Sequence, residues 1–406
     1  MRCDVAVVGA GPAGTTAARF LAKKGFDVIL VEARKFPREK PCGGMLTPRV
    51  FERFRYLSKI ELASPSYGSC LYPPSLTLRV PYFTDDPQVF MVLRSQFDHA
   101  LLNMAENAGA ELITDRVQDV EIKTETAQIS LKEGKVINAD IIVGADGVKS
   151  IIGEKTGLTP STLDRDKTGL CAVCEVEIGE NEVEEYFGDE RPVHLFLGFD
   201  NLFGYAWVFP KSRHVNIGLG GLLSQTRDIS GSFRRFVAML QKENMLPPHF
   251  ALDNYSAALI PIGGPNERTY RDRVVLCGDA AGFVNPLTGE GIYYAMASGE
   301  IASHIITRAI EEGRLNGQQL SEHQRAWMAD FGKELKKAAE FQNIPLRTNH
   351  MLEIGAKLAN TDPKLTEMLA SLCLNRKALN KSSLIKILLR LPFSLAKNFY
   401  TKIIKK

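Results

Sequence analysis

A glycine-rich turn, Gly9-Ala-Gly-Pro-Ala-Gly14, lies between two short apolar runs at the head of the chain. Val5–Val8 before it reads as a buried strand. Thr15 to Lys24 after it carries helical spacing, with Ala17, Ala18, Leu21 and Ala22 on one side, and Gly25 ends the helix. Val28–Val31 is a second strand, closed by Glu32. Together these residues form one βαβ unit and commit the chain to an α/β fold with a Rossmann-like domain. In such a unit Gly9 permits the tight turn, Gly11 lets backbone approach a pyrophosphate, and Gly14 lets helix and strand pack closely. The helix N-terminus, with Ala13 in its first turn, directs free N–H groups and a positive dipole end at phosphate. Glu32, followed by Ala33, stands where a carboxylate accepts from ribose hydroxyls. The unit by itself does not separate FAD from NAD.

Two later segments have the same strand-then-turn form. Ile141-Ile-Val-Gly-Ala-Asp146-Gly-Val-Lys-Ser150 is a strand followed by an Asp-Gly turn. In Arg273-Val-Val-Leu-Cys-Gly278-Asp279-Ala-Ala-Gly282, Val274 to Cys277 reads as a buried strand with Gly278 and Asp279 at its carboxyl end. Asn285-Pro-Leu-Thr-Gly289-Glu-Gly291-Ile292 then opens a long helix running to Ile310. A carboxylate in that position suits a sugar-alcohol hydroxyl. A helix N-terminus at Gly289–Ile292 suits negative charge on a nearby ring.

In this order the three segments resemble the FAD fingerprints of the flavoprotein hydroxylase superfamily. The resemblance implies FAD as cofactor, Asp146 in the second motif and Asp279 on the ribityl–phosphate part. It also implies that the backbone of Gly289, Gly291 and Ile292 faces the flavin ring. Arg94, in Leu93-Arg-Ser-Gln-Phe-Asp-His-Ala-Leu101, matches a helix start whose arginine faces the cofactor, and Val117 falls where the family contacts adenine through the main chain.

Two stretches narrow the resemblance to the geranylgeranyl reductase family, which saturates isoprenoid double bonds. Pro41-Cys42-Gly43-Gly44 matches its loop near the flavin, and Tyr205, Trp207, Phe209 and Pro210 match a P-x-x-Y-x-W-x-F-P strand. Leu202 stands where the leading proline would be. The likeness covers about residues 1–345. It implies an FAD-binding domain over 1–57, 88–167 and 268–315. An inserted, mostly antiparallel β-sheet substrate domain takes 58–87 and 168–267, and a helical C-terminal region takes 316–406, with Gln318–Gln342 as one long helix.

The residues themselves agree in outline. Tyr205, Trp207 and Phe209 alternate, so they share one strand face and can wall an apolar channel or form ordinary core. Val193–Phe199 and His214–Leu219 are partner strands, and Gly218, Gly220 and Gly221 would admit a ligand close to the backbone. Cys42 is open to three readings: proton donor, gate at the ring, or simple packing. Cys171 and Cys174 have C-x-x-C spacing with no second pair, and on a strand they point to opposite faces as core. The seven histidines show no ligand spacing on a helix, so no metal is proposed.

With 45% apolar and 24% charged residues, disorder, a collagen-like fibre and a disulfide scaffold are excluded. An early first strand and seven cysteines, an odd number, point to a cytoplasmic chain with reduced thiols. Residues 375–406 hold nine Lys/Arg and no acid, and removing them from the net charge of +3 leaves −6. That argues against a nucleic-acid-binding body. In the tail Leu384, Ile387, Leu388 and Leu391 recur at helical spacing among cations, and Phe393, Leu395, Phe399, Tyr400, Ile403 and Ile404 follow. Such a segment suits peripheral association with an anionic membrane surface, or docking on the body with its lysines solvated.

The leading functional expectation is an FAD-dependent reductase of prenyl-lipid double bonds. An FAD monooxygenase or halogenase acting on an aromatic or polyketide is the alternative, and an electron-relaying or lipid-binding flavoprotein is the third. NAD(P)H and a ferredoxin are both open as electron donor, since no second dinucleotide unit follows residue 32.

Overall fold

The computed structural model describes the chain except residues 60–61, 253, 343–347 and 376–406. The tail residues from Leu384 to Ile404 discussed above lie outside the described residues.

The opening βαβ unit forms as the sequence dictates. Strand Arg2–Val8 lies between Val28–Glu32 and Val136–Gly144 and is parallel to both, with Val5 opposite Val28 and Ile141. Glu111–Thr114 and Val274–Leu276 extend this layer in parallel on either side, and Tyr270–Arg271 closes one edge antiparallel. These central strands are buried in one apolar core with helices Pro12–Ala22, Arg94–Glu106 and Ile292–Glu311 and with the antiparallel strands Val117–Ile122 and Ala127–Leu131, the second of which pairs with Val136–Gly144. Pro12 starts helix Pro12–Ala22, where its missing N–H is no loss. The helix packs on Ile292–Glu311 so closely that a Cβ at Gly299 would overlap the Ala13 carbonyl. That contact joins the two glycine-rich segments, which lie almost 300 residues apart in the chain.

A second, seven-stranded sheet runs in the order Ser256–Pro261, Thr168–Glu177, His214–Leu222, Gly204–Pro210, Val193–Leu197, Gly68–Tyr72, Val80–Phe83. All its neighbours are antiparallel except Val193–Leu197 with Gly68–Tyr72. One face packs under helices Glu180–Phe187 and Ile229–Lys242 through Phe196, Phe233 and Phe236. The other carries Trp207 and Phe209 toward helices Asn349–Ala359 and Pro363–Cys373. Strand Ser64–Ser66 pairs instead with Val89–Met91, in a small sheet with Met45–Leu46.

The expected single helix over 318–342 is three pieces: Gly317–Trp327, a π-helical turn over Met328–Gly332, and Lys333–Gln342. The wider turn has a packing cause. Trp327 and Phe331 both reach Phe283, with ring centroids 4.7 and 5.1 Å away. Gly332 has no room for a side chain beneath the Trp327 indole.

Candidate active site

The dinucleotide cradle is built by exclusion of side chains. Gly9 has φ +100°, and a Cβ there would collide with the Ala145 carbonyl, while a Cβ at Gly14 would overlap the carbonyl oxygen of Gly9. Gly11 is different: its would-be Cβ faces open space, with the Arg38 guanidinium 3.9 Å away. Backbone at Gly11 is therefore free to meet a ligand, at the start of a helix. Glu32 is buried and accepts from the N–H of Ala10 at 3.0 Å and of Arg34 at 3.1 Å. Its second neighbour is Arg38, 3.5 Å away, which also donates to Asp98 at 3.2 Å. Arg38 is only 9% exposed, yet its Nε has no hydrogen-bond partner among the described residues. An orphaned donor over an open glycine suits an anionic group, and the cradle fits a dinucleotide cofactor. Sequence reasoning passed over Arg38, whose buried setting comes from Asp98, 60 residues away.

Of the other sequence-singled residues, Ala13, Gly278, Asp279 and Gly291 converge: a Cβ at Gly278 would lie 3.0 Å from that of Ala13, and one at Gly291 would lie 3.5 Å from Oδ1 of Asp279. Gly291 caps the helix that starts at Ile292, so the helix N-terminus opens at this junction. Gly289, at φ +71°, sits beside the Tyr205 hydroxyl, which donates to the Thr288 carbonyl at 2.6 Å. Asp146 borders the cradle through its backbone, its Cα 3.0 Å from the would-be Cβ of Gly9. The Asp146 carboxylate accepts from Ser150 Oγ at 2.6 Å and from the N–H of Ile152 at 3.1 Å, so it is committed to the next helical turn. Burial pushes its pKa up to about 6. Val117 is a buried residue opening strand Val117–Ile122, and Ala33 is exposed just beyond Glu32.

A predominantly apolar cavity of about 440 Å³ lies between this junction and the second sheet. Cys42, Gly43 and Gly44 line it at the junction end, and Tyr205, Trp207 and Phe209 form one wall. Those three rings follow one another with centroids 5.7 and 5.9 Å apart. The glycines expected to admit a ligand mainly admit neighbours. A Cβ at Gly218 would clash with the Trp207 indole, and Gly220 leaves room for the Cys171 thiol, though Gly220 and Gly221 still border the cavity. Cys171 lines the cavity as well, whereas Cys174 packs in the core under the opposite face. The far wall is the pair of C-terminal helices, through Met351, Leu352, Ala356, Leu369 and Leu372. Sequence reasoning marked that region only as helical; an apolar face on two short helices does not announce what it covers.

Cys42 is half-buried, and its thiol lies against charge. The Gly44 N–H approaches Sγ at 3.4 Å, and the Arg94 guanidinium is near enough for its charge to act on the thiol. Arg94 is itself buried and holds Asp98 in a two-point ion pair at 2.8 and 2.9 Å, so it is no surface helix-start residue. The Cys42 carbonyl accepts from Asn216 Nδ2 at 3.0 Å, and Asn216 Oδ1 takes the Trp207 indole N–H at 2.7 Å. The loop and the aromatic wall are thus fastened through one amide.

A second polar cluster underlies the Gly289–Ile292 turn. Glu290, 6% exposed, accepts from Thr47 Oγ1 at 2.8 Å and from the Asn375 amide. Asn375 also donates to the Tyr294 hydroxyl at 2.8 Å, and Tyr294 donates to Glu334 at 2.6 Å. Burial pushes Glu290 up to about 7. The folded state then binds this proton more tightly than the unfolded chain does, so stability falls as pH rises from the ordinary carboxylate range through about 7. Glu290→Gln keeps the shape without the charge. Wild type should therefore lose up to roughly 3 kcal/mol relative to this variant across that window. Thermal unfolding of both proteins over the same pH series checks it; a pH-independent difference would refute the assignment.

The chain matches the family described as FAD binding domain over residues 2–313. The digeranylgeranylglycerophospholipid reductase of Methanothrix thermoacetophila is 31% identical over 366 residues, covering 86% of this chain and 88% of that protein. Digeranylgeranylglycerophospholipid reductase 2 of Methanothermobacter thermautotrophicus is 29% identical, with 96% and 99% covered. Among solved structures, a geranylgeranyl bacteriochlorophyll reductase-like protein of Thermoplasma acidophilum superposes with a TM-score of 0.76 at 20% identity, covering 98% of each chain.

Proposed function

The chain belongs to the FAD-dependent geranylgeranyl reductase family of oxidoreductases, and on that premise we propose that it saturates C=C bonds in the geranylgeranyl chains of a glycerophospholipid. The observation that carries this reading is the cavity. It is apolar, walled by three aligned aromatic rings, and ends at the Cys42 loop and the Gly289–Ile292 turn. A polar or charged substrate would leave that wall's apolar surface without gain, while a prenyl chain fills it.

FAD bound in the cradle supplies, when reduced, a hydride to one alkene carbon. The protein has the remaining tasks. Gly11 and Arg38 would hold the cofactor's phosphates, Glu32 its ribose, and Asp279 its ribityl chain. The helix N-terminus at Gly291 favours negative charge beside it. Tyr205, Trp207 and Phe209 orient the chain and keep water away. Orientation in a dry site contributes at most about 7–11 kcal/mol. An isolated trisubstituted alkene is a poor hydride acceptor, so the second carbon needs an acid. Of the titratable groups that line the cavity beside the Gly289–Ile292 turn, Glu290 is held by Thr47 and Asn375 and Tyr205 donates to the Thr288 carbonyl, and we assign the proton to Cys42.

The electron donor in this reading is NAD(P)H or a ferredoxin, and the basic tail would bring the protein to an anionic lipid surface. Among the described residues no helix is long and apolar enough to cross a membrane.

The test is anaerobic. The holoenzyme is reduced with dithionite, a digeranylgeranyl phospholipid is added, and flavin reoxidation is followed together with product mass. Reoxidation with two hydrogen atoms gained per bond is expected. A flavin that stays reduced under nitrogen but reoxidises in oxygen with hydroxylation or halogenation of an aromatic would move the assignment to the monooxygenase and halogenase class.

A further inference from the structure

Lys211 follows the aromatic strand and is 2% exposed. Its ammonium donates to the Val92 carbonyl at 2.9 Å and to the Glu175 carboxylate in a short ion pair. It lies directly against the Cys42 loop: a Cβ at Gly44 would be 3.1 Å from Nζ. Lys211 does not line the cavity, so it does not meet the chain that the cavity takes. Burying an ion pair rarely stabilises a fold more than apolar residues of the same volume. The placement calls for a role.

The charges around Cys42 are few. The charge of Arg94 acts on the thiol but is matched by Asp98, and Cys171, also near it, is pushed up to about 12 by burial and stays protonated. Lys211 and Glu175 complete the set. The Glu175 side chain is 25% exposed, so this pair runs from the buried loop to solvent. Asn216 spans the same two points, donating to Glu175 and to the Cys42 carbonyl, each at 3.0 Å.

We propose that Lys211, backed by Glu175, is the residue that returns a proton to Cys42 after each turnover; this rests on Cys42 being the acid. In the reductive step the Cys42 S–H bond breaks, the proton goes to the carbon that does not take the hydride, and the electron pair stays on sulfur. A Lys211 N–H bond then breaks, its proton forms the new S–H bond, and its electron pair stays on nitrogen. The neutral amine recovers a proton through Glu175 from water. Each turnover thus consumes one hydride from the reduced flavin and one solvent proton. Burial loosens the hold of Lys211 on its proton, in the direction this needs.

Three variants of the holoenzyme test it. Lys211→Arg keeps the charge but cannot give up a proton. Its first turnover from pre-reduced flavin should stay within about twofold of wild type, while steady-state turnover falls about tenfold or more. Glu175→Gln should show the same split. Lys211→Met removes the charge, and alkylation of Cys42 by iodoacetamide at neutral pH, read on the Cys42 peptide, should slow about tenfold; Lys211→Arg should restore it. Flavin content reports folding, and the Arg and Gln variants carry the test if the Met variant does not fold. Wild-type steady-state turnover in Lys211→Arg, or unchanged Cys42 alkylation in Lys211→Met, overturns the proposal. Failure of the wild type to reduce any alkene would instead strike the Cys42 reading, since the alkylation result does not depend on substrate.

Discussion

Gly14→Ala should give a protein that does not retain FAD. The added methyl would overlap the carbonyl oxygen of Gly9 and press on Val7, which is in the central strand. None of these neighbours is the free end of a flexible side chain, so the helix itself must move away from the sheet. Overpacking at a site that cannot relax costs about 1–3 kcal/mol or more. The same displacement carries the helix N-terminus away from the phosphates, so a loss of FAD affinity of roughly ten- to hundredfold is the least to expect. Gly25→Ala is the control. That glycine has φ +88° but nothing within 4 Å of its would-be Cβ. It should cost about 1–2 kcal/mol of backbone strain and leave flavin content near wild type. Flavin absorbance per polypeptide after gel filtration, in both variants, decides the matter; a Gly14→Ala protein with full flavin would mean that the cradle is not where the cofactor sits.

Cys42→Ala should keep its flavin and lose its chemistry. The thiol borders the cavity and not the dinucleotide glycines, so the contacts at Gly9, Gly11 and Gly14 are untouched. Losing a positioned general acid lowers turnover by about 10²–10⁴-fold. Cys42→Ser should lie between the two, because a hydroxyl can donate a hydrogen bond yet is a far weaker acid than a thiol. Substrate affinity should change little in either variant, since the aromatic wall is intact. Single-turnover reoxidation with a geranylgeranyl lipid, with flavin content measured in parallel, separates these effects. Full turnover in both variants would remove Cys42 from the mechanism and leave water as the proton source.

How much was legible beforehand depended on how local the cause was. The βαβ unit was readable because its turn, helix and strands are contiguous, and each glycine has a steric reason within its own neighbourhood. The aromatic wall was readable as one strand face from alternation alone, and all three rings do border the cavity. The fate of Gly218 was not, because its space is taken by an indole on the paired strand, and register is not written in either strand alone. Arg38 and Lys211 were not singled out, since nothing beside them in the chain marks a cation as buried. Their burial is imposed by Asp98 and Glu175, which other elements bring in. The π-helical turn escaped for a similar reason: Gln318–Gln342 has good helical periodicity, and only Phe283, from a distant loop, requires the extra residue. The C-terminal helices were the largest omission, since their apolar faces gain meaning only opposite the sheet they cover.

The bond between Asn375 and Glu290 bears on how such proteins can be recombined. The helices that shape the far wall would seem an exchangeable module, a cap to be traded between relatives to alter chain preference. Yet the residue that ends the described chain is hydrogen-bonded to the acid inside the Gly289–Ile292 turn, and through Tyr294 to Glu334. A chimaera carrying a foreign cap inherits that buried acid with only Thr47 on one of its oxygens, and leaving the other without a partner in the interior is costly. Grafts should succeed as sets, cap and loop together, and selectivity should travel with the joint rather than with the helices.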